Sequence, residues 1–104
     1  MLKAKNGLAK WMSAWMLLLK PSKASVRFIE DLPPKQFRQL WLKVLGLLVD
    51  PFPTDSQKLK GYDFYRVDFG EYRIVYTADE TTLSLILIGK RNDDEVYKQL
   101  GRLP

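Results

Sequence analysis

A single α+β domain, with helices packed on one face of an antiparallel sheet, is predicted by two hydrophobic rhythms and one turn. Between residues 34 and 49 apolar side chains recur every three or four positions, whereas from Tyr62 onward they recur every second position. These are the periods of an amphipathic helix and of a half-buried strand. Gly70-Glu71 interrupts the second pattern near its middle, as a two-residue hairpin turn with glycine first would. The 104 residues, 46% of them hydrophobic, suffice for one sheet layer and a few helices, not for a second domain with a cofactor crevice. Residues 1–14 are expected to be an N-terminal extension and residues 15–104 the domain.

In chain order, residues 1–11 are polar with scattered apolar positions (Leu2, Leu8, Trp11) and read as a frayed or weakly helical extension; Met12 and Met16 are alternative starts. Trp15 to Leu19 is an apolar run ended by Lys20-Pro21 and is expected to be a buried strand. The wider run Trp11 to Leu19 follows Lys3, Lys5 and Lys10 in the manner of a secretion signal. It is too short to span a bilayer, and Ser22 and Ala24 make a poor cleavage site, so a strand in a cytoplasmic protein is expected. Ser22 stands at an N-cap position before Ala24, Phe28, Ile29 and Leu32, which recur near helical spacing. Pro33-Pro34 ends that helix and preorganises the next. Phe37, Leu40, Trp41, Val44, Leu45 and Leu48 then form one apolar stripe, with Lys35, Arg38, Gln39 and Lys43 elsewhere, until Asp50-Pro51-Phe52-Pro53 stops the helix. The two helices form a hairpin whose stripe needs a sheet to cover.

Tyr62–Phe69, Tyr72–Thr77 and Leu83–Ile88 read as a three-stranded meander, with a second turn at Asp79 to Thr81. Asn92 can cap a last helix with an acidic first turn, Asp93, Asp94 and Glu95, running through Val96 and Leu100 to about Gly101. Helix capping explains these carboxylates better than a metal cluster, since consecutive positions on one turn point apart.

Cysteine and histidine are both absent. Disulfides, thiolate metal sites and the usual neutral-pH base are thereby excluded, leaving acid–base chemistry to carboxylates, Lys, Arg or Tyr. The formal charge is +5; residues 1–50 hold nine basic and three acidic side chains, residues 51–104 eight and nine. Such a surplus favours a polyanion, nucleic acid or an acidic protein.

The Gly70-Glu71 turn also sets a register, pairing Phe69 with Tyr72, Asp68 with Arg73, Val67 with Ile74, Arg66 with Val75 and Tyr65 with Tyr76. Opposed residues share a face. One face then collects Tyr65, Val67, Phe69, Tyr72, Ile74 and Tyr76 for the helices, and the other collects Arg66, Asp68, Arg73 and Val75.

In their order and spacing, Lys58-Leu59-Lys60-Gly61, Tyr65-Arg66-Val67, Gly70-Glu71-Tyr72-Arg73-Ile74-Val75-Tyr76 and Gly89-Lys90-Arg91 through Glu95-Val96-Tyr97 resemble the RelE/ParE toxin superfamily, RelE-like mRNA interferases in particular. Leu32-Pro33-Pro34 and Asp50-Pro51 sit at corresponding places, and the resemblance covers about residues 15–100. It implies the toxin of a type II toxin–antitoxin system. Such a toxin is a cytoplasmic endoribonuclease, using no metal or cofactor, that cuts mRNA, usually on the ribosome. The RNA 2′-hydroxyl attacks its own neighbouring phosphate and leaves a 2′,3′-cyclic phosphate. Carried over by position, Arg73, Arg91 and Tyr97 are the catalytic residues, and Lys58, Lys60, Arg66 and Lys90 contact RNA. The implied partners are mRNA, the ribosome and an acidic antitoxin wrapping the sheet face or the helical hairpin.

One position departs from the pattern. Where RelE has a lysine two residues after the first basic strand position, this chain has Asp68, either a general base or the ion-pair partner of Arg73. Taken singly, each site residue has a plainer reading: Arg66 and Arg73 as solvated sheet arginines, Arg91 as a cap on strand carbonyls, Tyr97 as helix packing, Lys58 and Lys60 as a wet loop. A ParE-like gyrase inhibitor and an inactive antitoxin-binding member are the alternatives to the nuclease.

Overall fold

The computed structural model describes residues 16–91 and 95–101. Ser22 caps helix α1 (Lys23–Glu30) as its position predicts: its Oγ accepts from the Ser25 amide at 3.1 Å. The same hydroxyl donates to the Ile86 carbonyl at 2.7 Å, so the cap also ties the helix start to the sheet. Pro33 ends the link and Pro34 opens helix α2 (Pro34–Val49), where a missing amide proton costs nothing.

Helix α2 buries Leu40, Val44, Leu47 and Leu48 against the sheet. The expected stripe is therefore rotated. Leu47 belongs to the core, while Phe37 and Leu45 are 41% and 47% exposed and Trp41 is only partly covered. The helix is apolar over more than one face, and periodicity alone does not say which apolar residues meet the sheet. Beyond it, the Tyr76 hydroxyl donates to the Pro51 carbonyl at 2.7 Å, pinning the 50–53 loop, and burial raises the pKa of that phenol.

Among the described residues five strands form one sheet: β1 (Leu18–Pro21), β2 (Gln57–Lys58), β3 (Tyr65–Phe69), β4 (Tyr72–Ala78) and β5 (Thr82–Lys90), in the order β1-β5-β4-β3-β2. Strand β1 runs parallel to β5, and the other pairs are antiparallel. The first strand differs from its expected form. It lies two to three residues later, includes Lys20 and Pro21, and is an edge strand with Leu18 70% exposed. An edge tolerates Pro21, which has no amide proton to give. Strand β2 was not anticipated, because two polar residues carry no periodic signal. Strand β3 begins at Tyr65 rather than Tyr62 because residues 59–64 fold into a turn, with the Leu59 amide donating to the Phe64 carbonyl at 2.9 Å.

The β3–β4 register is the predicted one at all five pairs, Tyr65 with Tyr76 through Phe69 with Tyr72. Gly70 takes φ +55 in the turn, a conformation a side chain would resist. The second turn is held by Asp79, whose carboxylate accepts from the Thr81 and Thr82 amides at 2.8 Å; these bonds lower its pKa. Between β4 and β5 a bulge at Val75/Tyr76 shifts the pairing, so that Tyr76 faces Leu85 but Val75 faces Leu87. The bulge turns Leu83 and Leu85 toward the hairpin helices and Leu87 to the opposite side.

That opposite side receives the last helix, α3 (Glu95–Leu100). The two hairpin helices share one face as expected; α3 departs from that arrangement. Val96 and Leu100 join Leu59, Val75 and Leu87 in a second small core, because the bulge leaves an apolar patch there. Asn92, Asp93 and Asp94, invoked as its cap and acidic turn, lie outside the described residues, as do Trp11, Met12, Trp15 and the expected extension. No helix among the described residues is long and apolar enough to cross a membrane.

Gly89 makes the docking of α3 possible. A Cβ at this position would sit 2.9 Å from Val96 Cγ2, on a stiff β-branched side chain. Gly89→Ala is expected to cost about 1–3 kcal/mol, the usual range for overpacking, and to lower the thermal midpoint by several degrees. An unchanged midpoint in differential scanning calorimetry would show that α3 shifts freely.

Candidate functional site

Strand alternation places Arg66, Asp68 and Arg73 on the sheet face that carries α3. Asp68 and Arg73 are direct cross-strand partners. Arg73 Nε donates to Asp68 Oδ1 at 2.8 Å and its Nη2 to Oδ2 at 3.4 Å. On its other edge, Arg73 Nη1 donates to the Tyr97 hydroxyl oxygen at 2.9 Å, and its guanidinium carbon lies 5.8 Å from the Tyr97 ring centroid. Arg91 leaves β5 beside this cluster. Its amide donates to the Glu71 carbonyl at 3.1 Å, and its Nη1 is 3.6 Å from Asp68 Oδ2. One carboxylate therefore bridges two guanidiniums, and one of those holds the tyrosine.

The two arginines differ in access. The Arg73 side chain is 14% exposed and largely committed to Asp68 and Tyr97, whereas that of Arg91 is 46% exposed. Arg73 is a fixed cation at the floor of the site and Arg91 a reachable one at its rim. Hydrogen bonding to Arg73 holds the Asp68 carboxyl below the usual carboxylate range; partial burial opposes this, and the charges of Arg73, Arg66 and Arg91 reinforce it. Asp68 raises the pKa of Arg73 in return. A carboxylate so stabilised is a poor proton acceptor near neutrality. The geometry thus realises the ion-pair reading of Asp68.

The other expected site residues are spread more widely. Arg66 shares the face but donates from Nη2 to Gln57 Oε1, a clamp with no signal in the sequence, since Gln57 sits in a polar stretch without periodicity. Lys58 lies beyond it on β2, 3.7 Å from Asp63, and Lys60 lies in the following turn. Lys90 pairs with Tyr72 and so takes the side of the hairpin helices, away from Arg73. The structure brings together Asp68, Arg73, Arg91 and Tyr97, sets Arg66 on their flank and Lys60 in the turn beyond, and leaves Lys58, paired with Tyr65, and Lys90 on the side of the hairpin helices.

No protein-family profile matches this sequence, and no curated protein matches it significantly. Solved structures do. A doubly arginine-to-alanine substituted E. coli toxin RelE in its free state superposes with a TM-score of 0.69 at 24% identity, over 86% of this chain and 99% of that one. A chain of the archaeal RelE–RelB complex from Pyrococcus horikoshii OT3 gives 0.67 at 24% identity, over 75% and 98%. A chain of the intact E. coli RelBE toxin–antitoxin complex gives 0.61 at 26% identity, over 71% and 95%. The fold is RelE-like.

The depressed Asp68 pKa fixes the sign of a pH effect. A carboxyl whose native pKa lies below its unfolded value contributes stability above the unfolded value, and that contribution is lost as pH falls through the native one. The stability difference between the native sequence and Asp68→Asn should therefore be constant from about pH 5 to 8 and shrink below about pH 4. Urea titrations at several pH values measure it. A difference that grew on acidification would contradict the ion-pair assignment.

Proposed function

We propose that this chain is the toxin of a type II toxin–antitoxin pair and a metal-independent endoribonuclease that cleaves mRNA, on the ribosome, in the cytoplasm. The observation that carries the reading is the meeting of Arg73, Arg91 and Tyr97 on one patch of the sheet, from three separate stretches of sequence. The RelE-like fold and the residue pattern quoted above support it. The antitoxin complexes among the similar structures and the basic surplus of residues 1–50 support an acidic antitoxin as partner. In this reading residues 15–104 are the toxin domain and residues 1–14 an extension.

The chemistry suits a site without histidine. In-line attack of a 2′-oxygen on the adjacent phosphorus forms one P–O bond and breaks the bond to the 5′-oxygen, with negative charge gathering on the equatorial oxygens. Arg91 at the rim and the outer edge of Arg73 supply permanently charged, planar donors for those oxygens. The Tyr97 hydroxyl accepts from Arg73, which leaves its own proton directed elsewhere and available to the departing 5′-oxygen. The 2′-hydroxyl yields its proton to water or to a group of the ribosome, since Asp68 is too weak a base. Arg66 and Lys60 steer the flanking phosphates. A ribosome that orients the RNA relieves the protein of alignment.

Purified protein added to translating ribosomes, followed by mapping of RNA 5′ ends, tests the proposal. Cuts are expected with the native sequence, with cleavage about 10²–10³-fold slower in Arg73→Ala and in Arg91→Ala, the usual effect of removing one transition-state donor. Intact RNA together with blocked gyrase supercoiling would establish a ParE-like poison instead.

A further inference from the structure

The turn between β2 and β3 is not a loose loop. Leu59 is buried in the second core with Val75, Leu87, Val96 and Leu100, and Phe64 packs against that cluster. The Leu59 amide donates to the Phe64 carbonyl at 2.9 Å, the Tyr62 amide to the Leu59 carbonyl at 3.4 Å, and Gly61 turns the chain at φ +84. Anchored this way, the turn lies on the Arg73 face. Tyr62 stacks on Phe64 with centroids 6.2 Å apart and rings 9° from parallel. Tyr62 is nevertheless 39% exposed, beside a shallow recess of about 450 Å³ lined by Lys58, Leu59, Lys60, Gly61, Tyr62 and Asp63.

We propose that this recess is a stacking subsite for one unpaired nucleobase, and this rests on the RNA-cleaving reading above. Three features favour a base over a bare anion. Tyr62 lies parallel to and offset from Phe64, which is itself packed on the second core, so the exposed ring of Tyr62 has a defined orientation in which to offer a flat π surface. Asp63 stands 3.7 Å from Lys58 and cancels part of the positive charge at the lip, which disfavours a phosphate inside the recess. Lys60 and Arg66 remain on the flank for the backbone on either side. Asp68, Arg66 and Phe64 follow one another at two-residue steps, so the stacked pair lies roughly 13 Å along the strand direction from the arginine cluster, a span of a few nucleotides. The ligand is single-stranded, because a base inside a helix already has both faces stacked, and RNA duplexes are recognised by groove shape instead.

Fluorescence anisotropy with a labelled, fully 2′-O-methylated RNA strand measures the site without cleavage, since that strand has no attacking hydroxyl. Tyr62→Phe should bind as the native sequence does. Tyr62→Ala and Tyr62→Leu, the second keeping an apolar cover on Phe64, should bind about tenfold more weakly. A blunt RNA duplex should show no dependence on Tyr62. Equal affinity in all variants, a loss in Tyr62→Phe as large as in Tyr62→Ala, or an equal loss on duplex would each overturn the subsite. Cleavage by the native sequence on ribosomes is scored separately, so a nuclease lacking this subsite and a non-nuclease are distinguishable outcomes.

Discussion

Asp68 and Arg73 face one another across β3 and β4 because Gly70 accepts a positive φ and closes the hairpin in two residues. From that turn the face of each neighbouring residue follows by alternation. A slip of one residue would send Arg73 into the hydrophobic core and Ile74 into the site, so burial of Val67, Ile74 and Tyr76 enforces the register that the turn starts. The ion pair then does a second thing. Two guanidiniums side by side repel, and the carboxylate between Arg73 and Arg91 offsets that repulsion without occupying their outer edges. The site is assembled around a negative charge in order to present positive ones.

A second constraint comes from the bulge at Val75/Tyr76. An uninterrupted β5 would keep Leu83, Leu85 and Leu87 on one face. The bulge gives Leu87 to the other, where with Val75 it makes a seat for Val96 and Leu100. The absent side chain at Gly89 lets α3 settle on that seat, and Tyr97 is delivered to Arg73 as a consequence. The same cluster holds Leu59 and Phe64, so one small core positions the tyrosine on one side and the β2–β3 turn on the other. Packing, not the helix's own propensity, sustains so short a helix.

Much of this was legible in the sequence, for physical reasons. The hairpin register could be read because a two-residue turn leaves no freedom in pairing, and the Ser22 cap because serine before an apolar run has few other uses. The elements that escaped have causes too. Helix α2 is apolar on two sides, so spacing alone left Leu47 out of the core and placed Phe37 and Leu45 in it. The strand before α1 was read as buried because its apolar content is high, yet Pro21 confines it to an edge. The second core was invisible because it depends on a bulge, which has no local signature in Leu85-Ile86-Leu87. Chain order brings Arg91 and Tyr97 near the sheet face that carries Arg73, but their catalytic roles come from the family resemblance, since neither spacing nor composition predicts how a six-residue helix will dock.

The lack of histidine shapes what such a site can do. Arginine charges do not titrate in the working range, so the patch supplies a constant field, not a switch. With Asp68 ionised, the pair of arginines and their carboxylate carry one net positive charge, which Arg66 raises to two. That is modest attraction for a polyanion and leaves a larger share of recognition to shape and stacking. It also separates the roles of the two arginines. Arg73, held by Asp68 and Tyr97, supplies geometry, whereas the more exposed Arg91 supplies most of the accessible charge. A ligand that neutralised only the rim would therefore meet a preformed floor, and it is this division, set by one cross-strand carboxylate, that makes the patch a structured arrangement of charge and not merely a basic surface.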